Sequence, residues 1–314
     1  MNSLADSGSG GLRYGMNHAF TPAKLSRRMA TFMLAYMVFL SSACSPVQKN
    51  FIATADQDNA TGGAKPMTVE LPQDPRETAF MAAVGVLPPE QALATSAAFA
   101  SDKEHFFTML SAAETESASA GELLQLVDKT HSLAADYEPA DLVSLNDYKL
   151  QVSRNDLHLR RVIMNAVLAM DQAARAEGVT LVFSSAYRSY NYQAGLFARY
   201  AGQHGEAQAD RFSARPGHSQ HQLGTAIDFG SIDDTFAETE AGKWMADNAW
   251  RFGFSLSYPQ GMEELTGYIW ESWHFRYLTV AGARIEREYF GGIQQYFLEF
   301  LAEYRRIFTA VPAL

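Results

Sequence analysis

The sequence predicts an α+β fold: a small, mainly antiparallel sheet with flanking helices, preceded by a short N-terminal helical extension. Three observations lead there. From residue 156 onward, segments of helical period and segments rich in β-branched and aromatic residues follow one another as helix, strand, helix, strand, helix, strand, strand. The last strands lie too close in sequence for helical crossovers, so they are expected to pair antiparallel. At 314 residues, 47% hydrophobic and 19% charged, the chain has a globular composition and the length for one sizeable domain plus extras.

Residues 1–44 read as a signal region. Lys24, Arg27 and Arg28 precede the apolar run from Met29 to Leu40, and Ser41, Ser42 and Ala43 follow it, the charged, apolar, small-residue order of a secretory signal. That run is shorter than the roughly 20 residues a membrane-spanning helix needs. Cys44, the only cysteine, stands directly after it and excludes an intramolecular disulfide. The arrangement resembles a bacterial lipobox, with Leu40 four residues before the cysteine rather than three. It implies lipidation of Cys44, export, and attachment to the cell envelope through a lipid anchor.

Residues 45–75 are polar and small, the composition of a flexible tether. Residues 76–134 place Phe80, Val84 and later Leu123, Leu124 and Val127 at helical spacing, punctuated by Pro88 and Pro89, and read as short helices. Asp156 is an expected N-cap for a helix whose stripe is Leu157, Val162, Ile163, Ala166, Val167 and Met170, stopped at Gly178. Thr180 to Ser184 reads as a buried strand, Tyr190 to Gln203 as a helix, and Thr225 to Phe229 as a second strand. Thr239 caps a further helix through Trp244, Met245 and Trp250 that stops at Gly253; strands are expected at Phe254 to Tyr258 and Trp273 to Leu278. Residues 291–314 carry a C-terminal helix. The net charge of −10 excludes a nucleic-acid partner, which needs a basic face, and a monomer is expected.

The chemistry lies on the strands. In 225–230 (TAIDFG), alternation puts Asp228 on one face with Ala226 and Gly230, small neighbours that leave open space before the carboxylate. In 273–277 (WHFRY), the aromatics share a core face and leave His274 for a cleft, beside Arg276. His221 completes a set of two imidazoles and one carboxylate, which suits zinc with a fourth position left for water. Glu271, three residues before His274, is placed to act as general base beside the metal, provided the chain bends near Ser272. His218 is a competing ligand, set on a Pro216-Gly217 turn. Taken singly, each of these residues has a plainer role as a surface or core group; the set in order points to a metal site.

The segments 185–190 (SAYRSY) with Gln193, 216–228 (PGHSQHQLGTAID), 248–254 (NAWRFGF), 258–261 (YPQG) and 266–277 (TGYIWESWHFRY) resemble the VanY-type D-alanyl-D-alanine carboxypeptidases of zinc peptidase family M15, subfamily B. The likeness spans about residues 135–285, and residues 135–290 are expected to form the zinc carboxypeptidase domain, with the hedgehog-like zinc peptidase fold. It implies one zinc ion per chain on His221, Asp228 and His274, with Glu271 as catalytic base on the zinc-bound water. It also implies that Arg188 reaches the reacting peptide, and that Ser219, Gln193 and Tyr258 contact substrate. Three departures stand out: Gln220 where many members have glutamate, Ser272 where many have proline, and Ser257 where an arginine often precedes the tyrosine. The last is expected to change which stem-peptide charges are tolerated.

The implied reaction removes the terminal D-alanine from peptidoglycan stem peptides. The alternatives are L,D-cleavage of tetrapeptide stems, or a lipoprotein that binds peptidoglycan without turning it over; the retained Glu271 argues against a mere binder.

Overall fold

The computed structural model describes residues 74–310. The signal region, Cys44 and residues 45–73 of the expected tether lie outside them. Asp74 opens the described chain by accepting from the Arg76 backbone N–H at 2.8 Å, which caps α1 (Pro75–Ala83) with a proline in its first turn. α2 (Pro89–Ser101) and α3 (Lys103–Ser119) follow, the latter capped by Asp102. Strands β1 (Leu142–Ser144), β2 (Gln151–Val152) and β3 (His158–Arg160) precede α4 (Met164–Ala176). Then come β4 (Val182–Ser185), α5 (Tyr190–His204), α6 (Glu206–Phe212), β5 (Ala226–Phe229) and α7 (Glu240–Asn248). β6 (Phe254–Leu256), α8 (Glu263–Thr266), β7 (His274–Tyr277), α9 (Val280–Tyr289) and α10 (Gln294–Ala310) complete the chain.

The central sheet runs β2-β4-β5-β7-β6, with β2 parallel to β4 and every other pair antiparallel; β1 and β3 form a separate antiparallel pair. Register sets the chemistry. Asp228 on β5 stands opposite His274 on β7 and pairs with Ser185 at the end of β4 across an irregularity at Ser184. One face packs Phe183, Ile227, Phe229, Phe275 and Tyr277 against Val167 and Met170 of α4 and Met245 of α7.

On the helical side, Phe80, Phe99 and Phe106 meet α9 and α10: Phe80 lies 3.6 Å from Phe99 and 5.2 Å from Phe300 between ring centroids, and Phe106 lies 4.9 Å from Tyr289. Phe80, Phe106 and Phe300 are fully buried, each such side chain contributing roughly 2 kcal/mol through area removed from water.

Two sequence expectations fail for identifiable reasons. Asp156 does not cap a helix: it pairs with Arg154, β3 follows, and α4 starts only at Met164 with Ile163 in the cap position. Leu123, Leu124 and Val127 are buried but not helical. Gly121 and Glu122 have φ of 72° and 64°, a break the α-helix cannot cross, and the chain folds back so that Ser117 Oγ accepts from Leu123 N at 2.9 Å and Leu124 N at 3.2 Å. The loop is then clamped from the sheet: fully buried Arg276 donates to the Leu123 and Gln125 carbonyls at 3.0 and 2.6 Å.

Candidate metal centre and cleft

His221 enters the site on a helical turn, Gln220–Leu223, ended by Gly224 at φ 69°, after which the chain runs into β5. Its ring Nδ1 lies 2.7 Å from the Ala186 carbonyl. A carbonyl only accepts, so Nδ1 carries the hydrogen and Nε2 the lone pair. That Nε2 is buried, has no hydrogen-bond partner, and sits 3.2 Å from Asp228 Oδ2. His274 opens β7 and mirrors it: Nε2 faces Gln220 Oε1 at 3.3 Å, while Nδ1 points at Asp228 Oδ1, 3.0 Å away and likewise without a hydrogen-bond partner.

Two imidazole lone pairs aimed at one carboxylate repel it unless a cation lies among them. Burial pushes the His221 pKa down to about 4, helped by the Arg188 charge, so the ring is neutral and its lone pair free at physiological pH. Burial works against the Asp228 charge, and the Arg188 guanidinium donates to its Oδ2 at 2.9 Å. The three donor atoms lie within 4.8 Å of one another and all three residues are buried. Two imidazoles and a carboxylate, with His221 Nε2 and Asp228 Oδ1 left without hydrogen-bond partners, fit a divalent borderline ion, zinc above all. Asp228 lies at the floor of the cleft its small neighbours suggested but is only 1% exposed, and the room beside Gly230 is taken by the Phe236 ring, which would lie 2.5 Å from an added Cβ.

Glu271 stands beside this set, Oε2 lying 3.5 Å from His274 Nδ1. The bend its position requires is present: residues 272–273 form a turn closed by His274 N donating to the Glu271 carbonyl at 3.2 Å, and β7 starts only at His274. Burial, then repulsion from Asp228, pushes the Glu271 carboxyl well above the usual range. Arg188 is held on three sides, donating to Ser185 Oγ at 3.2 Å, Gln193 Oε1 at 3.2 Å and Asp228 Oδ2 at 2.9 Å.

These residues open on a cleft of about 450 Å³. Ser219, Tyr258, Glu271, Arg188 and the three metal-binding candidates line it. The Tyr258 ring lies 4.9 Å from His274 and 4.5 Å from Tyr268, and burial raises its hydroxyl pKa well above 10. Gln193 differs from the expectation of a substrate contact. It is fully buried behind Arg188, its amide donating to the Ala214 carbonyl at 2.7 Å, so it acts on the cleft only through the guanidinium. Ser257 is buried as well and bonded to Gln220 at 2.7 Å; an arginine missing there is not a charge missing from the cleft. His218 turns away, its Nδ1 2.8 Å from the Asp128 carbonyl.

Sequence reasoning did not single out the far wall. Tyr192, Leu196, Arg199 and Tyr200 line the cleft at helical spacing on one face of α5. That spacing was visible in the sequence, but nothing there told which face would meet the site.

A family model described as VanY, D-alanyl-D-alanine carboxypeptidase, matches residues 156–280. The chain is 34% identical over 182 residues to the putative carboxypeptidase YodJ of Bacillus subtilis (strain 168), covering 56% of this chain and 67% of that protein. It is 30% identical over 172 residues to the bifunctional D-Ala-D-Ala dipeptidase and D-Ala-D-Ala carboxypeptidase VanXYC of Enterococcus gallinarum, covering 52% of this chain and 86% of the other. Among solved structures it is similar to the LdcB LD-carboxypeptidase, at 33% identity and a TM-score of 0.50, over 55% of this chain and 87% of that one. Motif order, the converging donor set and these likenesses agree: the chain belongs to the VanY family of D-alanyl-D-alanine carboxypeptidases.

Proposed function

We propose that the protein is a zinc-dependent D,D-carboxypeptidase that removes the terminal D-alanine from peptidoglycan stem peptides. The observation that carries the reading is the convergence of His221 Nε2 and His274 Nδ1 on Asp228 with Glu271 beside them. His221, Asp228 and His274 would hold the zinc, which when bound makes water more acidic and polarises the scissile carbonyl. Glu271 takes a proton from the attacking water and passes it to the amino group of the departing D-alanine, so water adds across one peptide bond and no other reactant is consumed. Arg188, fixed by Ser185, Gln193 and Asp228, presents its guanidinium to the substrate's terminal carboxylate or to charge developing on the carbonyl oxygen. Ser219 and Tyr258 line the walls that receive the peptide.

A second reading, L,D-cleavage of tetrapeptide stems, is favoured by the similarity to the LdcB LD-carboxypeptidase. Purified protein, zinc-loaded and zinc-stripped, is to be assayed for D-alanine release on defined pentapeptide and tetrapeptide stems. Release from the pentapeptide, lost on chelation and restored by zinc, is the expected result. Release from the tetrapeptide alone selects the second reading, and binding without release of D-alanine removes both. The basic, apolar, small-residue order before Cys44 supports export and lipid anchoring at the cell envelope. Cys44→Ser is expected to leave the membrane fraction; a variant retained there like the parent would exclude the anchor.

A further inference from the structure

Behind His274, on the side away from Asp228, lies a buried chain of polar side chains that the proposed reaction does not use. Gln220 Oε1 faces His274 Nε2 at 3.3 Å and accepts from the Ser257 hydroxyl at 2.7 Å. The Gln220 amide donates to Gln294 Oε1 at 3.1 Å. The Gln294 amide donates in turn to Ser257 Oγ at 3.1 Å, Ser255 Oγ at 3.2 Å and the Ser255 carbonyl at 3.4 Å. The Ser255 hydroxyl donates to Glu286 Oε1 at 3.0 Å. All five side chains are buried.

The direction of this chain is not free. The Ser255 backbone carbonyl can only accept, so the Gln294 NH2 group must face it and Gln294 Oε1 must face Gln220. Gln220 then turns its own NH2 to Gln294 and its oxygen to His274. An oxygen there requires Nε2–H on the imidazole, which leaves the lone pair on Nδ1, the nitrogen that faces Asp228. The opposite orientation of Gln220 would place a donor against Nε2, move the hydrogen to Nδ1, and abolish the ligand.

We propose that Gln294, at the start of α10 and outside the matched family region of 156–280, is a positioning residue for the metal. Acting through Gln220 and Ser257, it holds His274 in its metal-binding tautomer. The inference rests on His274 being a zinc ligand, as in the proposed function. Partners of this kind orient a metal-binding histidine, and their loss typically weakens metal binding by about 10-fold to 100-fold.

The test is zinc affinity of the purified protein, measured by competition with a chromogenic chelator, for wild type, Gln294→Met and Ser257→Ala. Ser257→Ala removes the hydroxyl shared by Gln220 and Gln294, is the smaller change, and decides the matter if Gln294→Met does not fold. Both are expected to bind zinc about ten-fold or more weakly. The zinc-free variants should also show His274 ring 15N shifts displaced from the Nε2–H pattern of the wild type, which a loss of packing alone would not produce. Gln295→Met, on the same helix but bonded to Asp128 and Glu299, is expected to bind zinc like wild type. Affinities of the first two variants within two-fold of wild type, an unchanged tautomer in both, or an equal loss in Gln295→Met would overturn the proposal. A wild type that takes up no zinc would instead strike at the proposed function itself.

Discussion

Arg188 donates to Oδ2 of Asp228 at 2.9 Å, the same oxygen that lies 3.2 Å from His221 Nε2. The guanidinium proposed to meet substrate is therefore fastened to a side chain proposed to hold the metal. Its charge also helps keep His221 unprotonated. Arg188→Ala is expected to lower kcat/KM by about 100-fold to 1,000-fold, the loss typical of one donor to a developing oxyanion, while zinc affinity is retained. Parallel zinc titration and peptide assay check this. Loss of zinc together with activity would make Arg188 a support of Asp228 rather than a substrate-facing group.

Glu286 ends the polar chain behind the metal site, where burial pushes its pKa up to about 8 against an ordinary value of 4.5. Between those two pH values the unfolded chain has released this proton and the folded chain still holds it. Stability therefore falls as pH rises through that window and levels off above it. A shift of that size corresponds to roughly 5 kcal/mol across the window at most. Glu286→Gln keeps an acceptor for the Ser255 hydroxyl and cannot titrate, so the variant should gain on wild type steadily from pH 5 to pH 8. Urea denaturation in excess chelator at several pH values measures it; two curves that run parallel would show that Glu286 does not hold its proton.

Much of the site could be read in the sequence because its donors sit on short segments with their own local signals. The alternation in 225–230 and 273–277 located β5 and β7, and the helix read from Tyr190 to Gln203 is α5, which the structure caps at Ser189 and stops at Gly205. β1 to β3 were not legible, since two- and three-residue strands carry no period and exist only through pairing with distant chain. The apolar group at Leu123, Leu124 and Val127 misled because burial by the Arg276 clamp requires the same residues as a helix face. Gln294 carried no signal at all: its partner Gln220 is 74 residues away, and a glutamine at the start of a helix is ordinarily a solvated residue.

Glu271 separates an enzyme from a module that only binds peptide. A carboxylate that merely shapes the cleft can be exchanged for its amide with little loss, whereas a base must accept a proton, and glutamine does not. Glu271 is well placed for such an exchange because its position is fixed by its backbone, Glu271 N donating to the Tyr258 carbonyl and its own carbonyl accepting from His274 N. Glu271→Gln should therefore keep the fold and, with His221, Asp228 and His274 intact, keep one zinc per chain. Loss of general-base function typically costs about 100-fold to 10,000-fold in rate, so D-alanine release should fall by that range while peptide binding survives. Metal analysis, a binding isotherm and a turnover assay on the same preparation distinguish the outcomes. A variant that loses zinc would place Glu271 among the metal's own ligands, and one that keeps most of its turnover would remove the base from the mechanism, leaving the proton on the attacking water to be taken by another group in the cleft.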